Sequence, residues 1–204
     1  MAMKRIFKRI ANGLAGGMML PVQAMYRIQS AFFGRERACV AVGQRVAKWP
    51  GVGGEYLRRI VLRRILNRVG RDVVVSFGSV LTKPMAELDD GVYIGAYCLL
   101  GDVRVGKNTL IADHVCIPSG SGQHKFDRLD VPIRDQAGEF RTVRIGEDVW
   151  IGSHCVILAD VGNHCVVGAG SVVTHPVPDY QVVAGNPARI LRDRRSGPVE
   201  PPPK

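Results

Sequence analysis

The side chain best suited to moving a proton near neutral pH occurs five times in this 204-residue chain, at His114, His124, His154, His164 and His175. Four of the five stand in aliphatic-rich runs. His124 stands apart, in the polar stretch SGSGQHKFDRLDVPIRDQAGEFRTVRIG of residues 119–146. Imidazole titrates where it can take a proton from an attacking hydroxyl, so His124 is the candidate general base. His114, His154 and His164 occupy positions that accept many polar residues and read as exposed corners. No spacing of these histidines makes a metal site, and the reading includes no metal. Cys39, Cys98, Cys116, Cys155 and Cys165 are an odd number with no C-x-x-C pair. Their reading is as free, small hydrophobes in a reducing compartment.

The elements that must position His124 follow a period of six. Aliphatic residues recur at Leu88, Ile94 and Leu100, then after a slip of one at Val105, Ile111 and Ile117. Beyond the polar stretch they recur at Ile145, Ile151 and Ile157, then at Val161, Val167 and Val173. Six matches neither a helix nor simple strand alternation; it belongs to a solenoid whose short strands turn a corner every six residues. A small residue follows many of the aliphatics (Gly95, Gly106, Gly146 and Gly152 among them), which predicts a backbone turning without a side chain in the way. The interval from Ile157 to Val161 is four, which predicts a tightened turn with the register restored afterwards. A polar insertion in such an array usually lies on a functional face.

Charge divides the chain differently. Residues 1–72 hold 15 Lys/Arg against 3 Asp/Glu, and the remainder holds 13 against 15. Ile6, Ile10, Leu14 and Met18 at helical spacing beside Lys4, Arg5, Lys8 and Arg9 form a basic amphipathic segment, read as a retained helix rather than a signal peptide. After the connector KWPGVGGEY, the stretch LRRIVLRRILNRVG predicts a second helix. Leu57, Ile60, Val61 and Ile65 line one side, Arg58, Arg59, Arg63 and Arg68 much of the other, and Gly70 stops it. Two readings stay open for these helices: surface helices with solvated arginines, or a docking arm for an anionic membrane or glycolipid. The absence of interleaved aromatics argues against single-stranded nucleic acid as the partner.

The motifs VRIGEDVWIGSHCVI, VVGAGSVVTHPVP and VVAGNPARILR resemble the hexapeptide-repeat acyltransferase family, and the resemblance covers residues 73–192. It implies an all-β solenoid, a left-handed parallel β-helix, here behind an α-helical extension over residues 1–72. The catalytic loop is 118–142, and 193–204 reads as a Pro-rich disordered tail. The resemblance further implies a homotrimer that binds acetyl-CoA between adjacent β-helices and transfers the acetyl group to a hydroxyl or amine, often of a saccharide. His124 would then reach a neighbouring subunit's cleft as general base. Ser153, Ala169, Gly170 and Thr174 would follow the pantetheine arm, with Arg189 and Arg192 near the phosphate end. His175 replaces the lysine more common in the family. Trp150 would line the acyl pocket. On the acceptor side, maltose- and galactoside-type enzymes carry an asparagine and an aspartate. This chain offers Tyr97, Cys98 and Asp102, with Asp102 placed to orient His124.

The expectation is therefore a cytoplasmic acetyl-CoA-dependent acetyltransferase acting on a saccharide, with a lipid-linked acceptor and a peripheral place on the inner face of the membrane as the open reading of the basic helices. Two alternatives stay open: serine acetyltransferase, whose Asp-Arg-His-Pro segment is absent here, and a non-catalytic β-helix scaffold whose basic arm binds membrane or nucleic acid.

Overall fold

A computed structural model describes residues 20–197. Three helices come first, α1 (Leu20–Phe33), α2 (Arg35–Ala47) and α3 (Gly51–Ile65). Short strands then wind a left-handed parallel β-helix of six coils. One sheet holds β1 (Arg68–Val69), β4 (Glu87–Leu88), β7 (Val103–Val105) and β10 (Val143–Ile145). A second holds β2 (Val74–Val75), β5 (Tyr93–Ile94), β8 (Leu110–Ile111), β11 (Trp150–Ile151), β13 (Val166–Val167), β15 (Gln181–Gly185) and the antiparallel closing strand β16 (Ala188–Asp193). The third holds β3 (Val80–Leu81), β6 (Leu99–Leu100), β9 (Cys116–Ile117), β12 (Val156–Ile157) and β14 (Val172–Val173).

The repeat aliphatics are the core. Leu88, Val105, Ile145, Val161 and Val177 stack under the first sheet, Val75, Ile94, Ile111, Ile151, Val167 and Val183 under the second, and Leu81, Leu100, Ile117, Ile157 and Val173 under the third, all buried. Each such side chain contributes about 1.5–3 kcal/mol by leaving water. The spacing is six from first sheet to second and from second to third, as in Val105, Ile111, Ile117 and Val161, Val167, Val173. All length variation collects at the remaining corner, between third sheet and first. There the chain runs from Leu100 to Val105, from Ile117 to Ile145 and from Ile157 to Val161. The tightened turn at Ile157 is observed: Val161 forms only isolated bridges, to Ile145 and Val177, and the register resumes at Val167.

The small residues have a role different from the expected one. The left-handed turn conformation falls two positions after them, on Tyr97, Asn108, His114, Asp148 and His154. Gly106 is small because a Cβ there would lie 2.6 Å from the carbonyl carbon of Gly146 in the next coil, a distance real side chains do not tolerate. Close stacking of coils, rather than turning, excludes the side chain.

The helical layer also departs from the sequence reading. Helix α3 starts at Gly51, inside the expected connector, and ends at Ile65; the solenoid begins at Arg68, which pairs with Glu87. Arg58 is not solvated but 1% exposed, and Arg59 is also buried. The cause lies in the coils. Val74 N–H donates to Val92 O of the second coil at 2.9 Å, but no coil precedes the first to donate to its outward strand carbonyls, those of Val73 and Val75 among them. Arg58 Nε donates to Val75 O at 2.7 Å, Arg59 Nη1 to Val73 O at 3.3 Å and Arg63 Nη2 to Gly70 O at 2.6 Å. Arginines thus satisfy an open sheet edge that Val61, Leu62 and Ile65 cover with apolar surface. Burial pulls the Arg58 guanidinium below its ordinary pKa. At the other end, Asp193 still pairs with Gln181 and Arg194–Ser196 form a single 3-10 turn, so order extends past the expected start of the tail. The segment of Ile6, Ile10, Leu14 and Met18 and the final residues from 198 lie outside the described residues.

Candidate active site

The polar excursion leaves the solenoid at the variable corner, after β9, and returns at β10. It is latched into a ladder: Arg141 N–H donates to Ser119 O at 3.0 Å, Glu139 N–H to Gly122 O at 2.7 Å and Lys125 N–H to Ala137 O at 3.0 Å. At its tip the Gln136 amide donates to the carbonyls of Arg128 and Val131 at 2.7 and 2.9 Å. Gly138 permits the ladder, because a Cβ there would lie 1.7 Å from Gln123 O. His124 sits between two of these rungs, exposed, and no described side chain hydrogen-bonds its ring. The backbone on either side of His124 is fixed by the ladder, and its imidazole is exposed.

Asp102 stands at the foot of the excursion. Its N–H donates to Ser119 Oγ at 2.9 Å, its carbonyl accepts from Val143 N–H at 2.9 Å, and its carboxylate accepts from Thr142 Oγ1 at 3.0 Å. Within one chain it therefore joins the two ends of the loop, and its carboxylate makes no hydrogen bond with the His124 ring.

Three of the expected donor-side residues come together on one corner. Ser153 and Ala169–Gly170 belong to successive coils, joined by Gly170 N–H to Ser153 O at 2.8 Å. Gly170 takes φ +72, and an added Cβ would meet nothing within 4 Å, so the backbone there is bare to an approaching chain. Thr174 lies further on, its hydroxyl 2.9 Å from His175 Nδ1. It lines a cleft with Ser121, Gly122, Glu139 and Arg141, so donor-side and excursion residues share one wall. Arg189 and Arg192 are both on β16, Arg189 exposed and Arg192 donating to Gly197 O at 2.9 Å. Trp150 is exposed on the outer face of the second sheet, in register with Leu110 and Val166.

Cys98 is a correction. It is 2% exposed, its thiol points to Ala112 O at 3.1 Å, and burial pushes its pKa up, so it belongs to the core and not to an acceptor site. Tyr97 is exposed but not isolated. Its ring meets Phe77 edge-on at 5.7 Å and stacks on His114 at 5.4 Å, and His114 stacks on His154 at 4.8 Å. This column runs up the corner to Ser153. Sequence reasoning missed it because His114 and His154 look like independent corner residues; the usable signal is that both, like Tyr97, fall two positions after the small residue of their repeats. A further cluster lies at the next corner. There the Asp148 carboxyl is held below the usual range, first by its hydrogen bond with His164 at 3.1 Å and then by Arg194 at 3.0 Å.

The model of the "Bacterial transferase hexapeptide (six repeats)" family matches residues 142–175. Over 134 residues the chain is 33% identical to WbbJ of Escherichia coli K12, which carries the name of a lipopolysaccharide biosynthesis O-acetyl transferase; the match covers 62% of this chain and 64% of that protein. Over 96 residues it is 40% identical to the galactoside O-acetyltransferase of the same organism, covering 45% of this chain and 44% of that one. The matches thus span less than two thirds of the length of either relative. A solved galactoside acetyltransferase in complex with coenzyme A shares the fold, with a TM-score of 0.58, 24% identity, and coverage of 78% of this chain and 82% of that one. By repeat and by coil geometry the chain is similar to the bacterial transferase hexapeptide proteins, whose family model matches residues 142–175.

Proposed function

We propose that this protein is an acetyl-CoA-dependent acetyltransferase whose acceptor is a hydroxyl or amino group of a saccharide. The observation that carries the reading is the latched excursion, which presents an unpartnered imidazole and walls the same cleft as Thr174. The residues fit the donor: Ser153, Ala169 and Gly170 offer bare, extended backbone to an amide-rich arm, and Arg189 offers an exposed guanidinium to phosphate. The two relatives, named as O-acetyltransferases, and the coenzyme A of the fold neighbour point the same way.

Acetyl-CoA supplies the acyl group as a thioester. His124 takes the proton from the acceptor hydroxyl as its oxygen attacks the carbonyl, and the resulting imidazolium returns a proton to the departing sulfur. A backbone amide at the bare corner stabilises the oxygen that gains charge. Asp102 keeps the foot of the excursion closed through Thr142 and Ser119. A homotrimer would bring the excursion of one subunit to the corner of the next. Exposed Tyr93, Leu110 and Trp150 on one outer face and Leu99 on another supply apolar surface for such an assembly.

Docking on an anionic membrane belongs to the same proposal, with a narrower basis than the raw charge count. Arg58, Arg59 and Arg63 are engaged at the sheet edge and do not count toward it. The support is α1, where Phe32 is 78% exposed beside Ile28 and Phe33, flanked by Arg27, Arg35 and Arg37. Among the described residues no helix is long and apolar enough to cross a membrane.

The test is thiol release from acetyl-CoA by purified protein with a panel of saccharide and amino-sugar acceptors. Wild type should release thiol only with acceptor, and His124→Ala should lose about 10²–10⁴-fold. Absence of both release and acetyl-CoA binding would move the non-catalytic scaffold ahead.

A further inference from the structure

The foot of the excursion touches more than the coil it leaves. Phe140 lies on the returning arm of the excursion between Glu139 and Arg141, whose N–H groups form two of the latching rungs. Its ring receives the ammonium of Lys83, 4.7 Å from the centroid. Lys83 belongs to the first coil, and the same ammonium pairs with Glu36 Oε2 of helix α2 at 2.6 Å. The lysine side chain is only 22% exposed. One nitrogen thus bridges a helix, the first coil and the catalytic excursion.

The local sequence explains why these groups meet. Helix α2 lies close on β3 because small residues face it: the Cys39 thiol donates to Leu81 O at 3.6 Å, and a Cβ on Gly43 would already sit 3.4 Å from Val80. Glu36 is one helical turn before Cys39, so the close approach sets its carboxylate over the residue two past Leu81, which is Lys83. That backbone is itself fixed in a turn, with Ala86 N–H donating to Lys83 O at 3.2 Å. A lysine steadied by a carboxylate on one side is well placed to hold an aromatic ring on the other.

We propose that Lys83 is a positioning residue: it clamps the foot of the excursion to helix α2, so the placement of His124 depends on the helical layer. This deepens the catalytic reading and rests on it for its kinetic consequence. A helical layer that docks on a surface would, through this bridge, act on the loop that carries the base. The ion pair and the ring contact are each modest, and together they set a loop-opening equilibrium of a few-fold to about ten-fold.

Hydrogen exchange on the full-length protein tests the clamp without requiring activity. In Lys83→Met and in Phe140→Ala, the amides of Lys125, Glu139 and Arg141 should exchange about three- to ten-fold faster than in wild type, while core amides such as Ile111 and Ile151 stay unchanged. The double variant should be no faster than either single one, and Lys83→Arg should return exchange to the wild-type rate. Glu36→Gln should give a smaller increase in the same amides. In kinetics, Lys83→Met should lower kcat by the same factor with KM for acetyl-CoA within two-fold, about the scatter of such measurements. Unchanged exchange in both Lys83→Met and Phe140→Ala overturns the clamp, and so does acceleration spread equally over the core. Full activity in His124→Ala would instead remove the catalytic reading, and the exchange result would still decide the clamp.

Discussion

The imidazoles of His114 and His154 lie face to face in successive coils, their centroids 4.8 Å apart and their planes 4° from parallel. Both residues hold left-handed backbone, φ 59 and φ 61, which aims the two side chains the same way along the corner. The stack ends where Gly170 follows, so one face of His154 is left open beside Ser153.

This open face is expected to contact the acyl donor. His154→Gly keeps the turn, since glycine accepts φ +61, and removes the ring. The KM for acetyl-CoA should rise by about five-fold, the worth of roughly 1 kcal/mol of ring contact. The melting temperature should hardly move. Equal KM values for the two proteins would remove His154 from the donor site.

Arg58 carries stability rather than surface charge. Its guanidinium donates to Val75 O and also to the carbonyls of Trp49 and Val46 at the end of α2. Replacing it by Leu leaves these carbonyls buried without donors, at a cost of about 3 kcal/mol. Urea denaturation followed by circular dichroism should show that loss. Arg71→Leu removes an exposed pair with Asp90 and should leave the midpoint where it was.

Gly138 and Gly106 should fail in opposite ways. Gly138→Ala drives a Cβ into Gln123 O within the excursion, so activity should fall at least ten-fold while the solenoid melts as wild type. Gly106→Ala sets a Cβ against the backbone of the next coil and should lower the melting temperature of the whole domain. Calorimetry beside the thiol-release assay separates the two.

The thiols should be silent in the folded protein. Burial pushes the Cys39 pKa from an ordinary 9.0 up to about 12, and Cys98, Cys155 and Cys165 are shifted up by the same cause. At pH 8 a disulfide reagent should label all five cysteines only in denaturant. The sign for stability follows from the same shift. Below pH 9 both states of Cys39 hold the proton; between 9 and 12 only the unfolded thiol ionises. Stability should therefore fall through that window, by about 1.4 kcal/mol per pH unit for this one group. A flat profile up to pH 11 in the wild type, matched by Cys39→Ala, would contradict it.

Much of this molecule was legible from residue order alone. The six-residue recurrence from Leu88 to Val173 determined the coils, because an aliphatic side chain at that period has only the inside of a solenoid in which to be buried. The interruption after Ile117 marked the excursion and His124 for the same reason: a polar run cannot be wound into that core. What the order of residues could not decide was whatever depends on a neighbour distant in sequence. Arg58 reads as a solvated helix arginine until the outward carbonyls of Val75 and Val73 are seen to lack a preceding coil. Cys98 reads as an acceptor contact beside Tyr97, yet the corner before β6 turns it to the core. The rings of Tyr97, His114 and His154 are 17 and 40 residues apart in the chain and meet only because a coil of the solenoid brings each corner over the last. Local pattern determines which face of the chain is apolar; only the stacking of coils and the packing of α2 on β3 decide which polar groups then find each other.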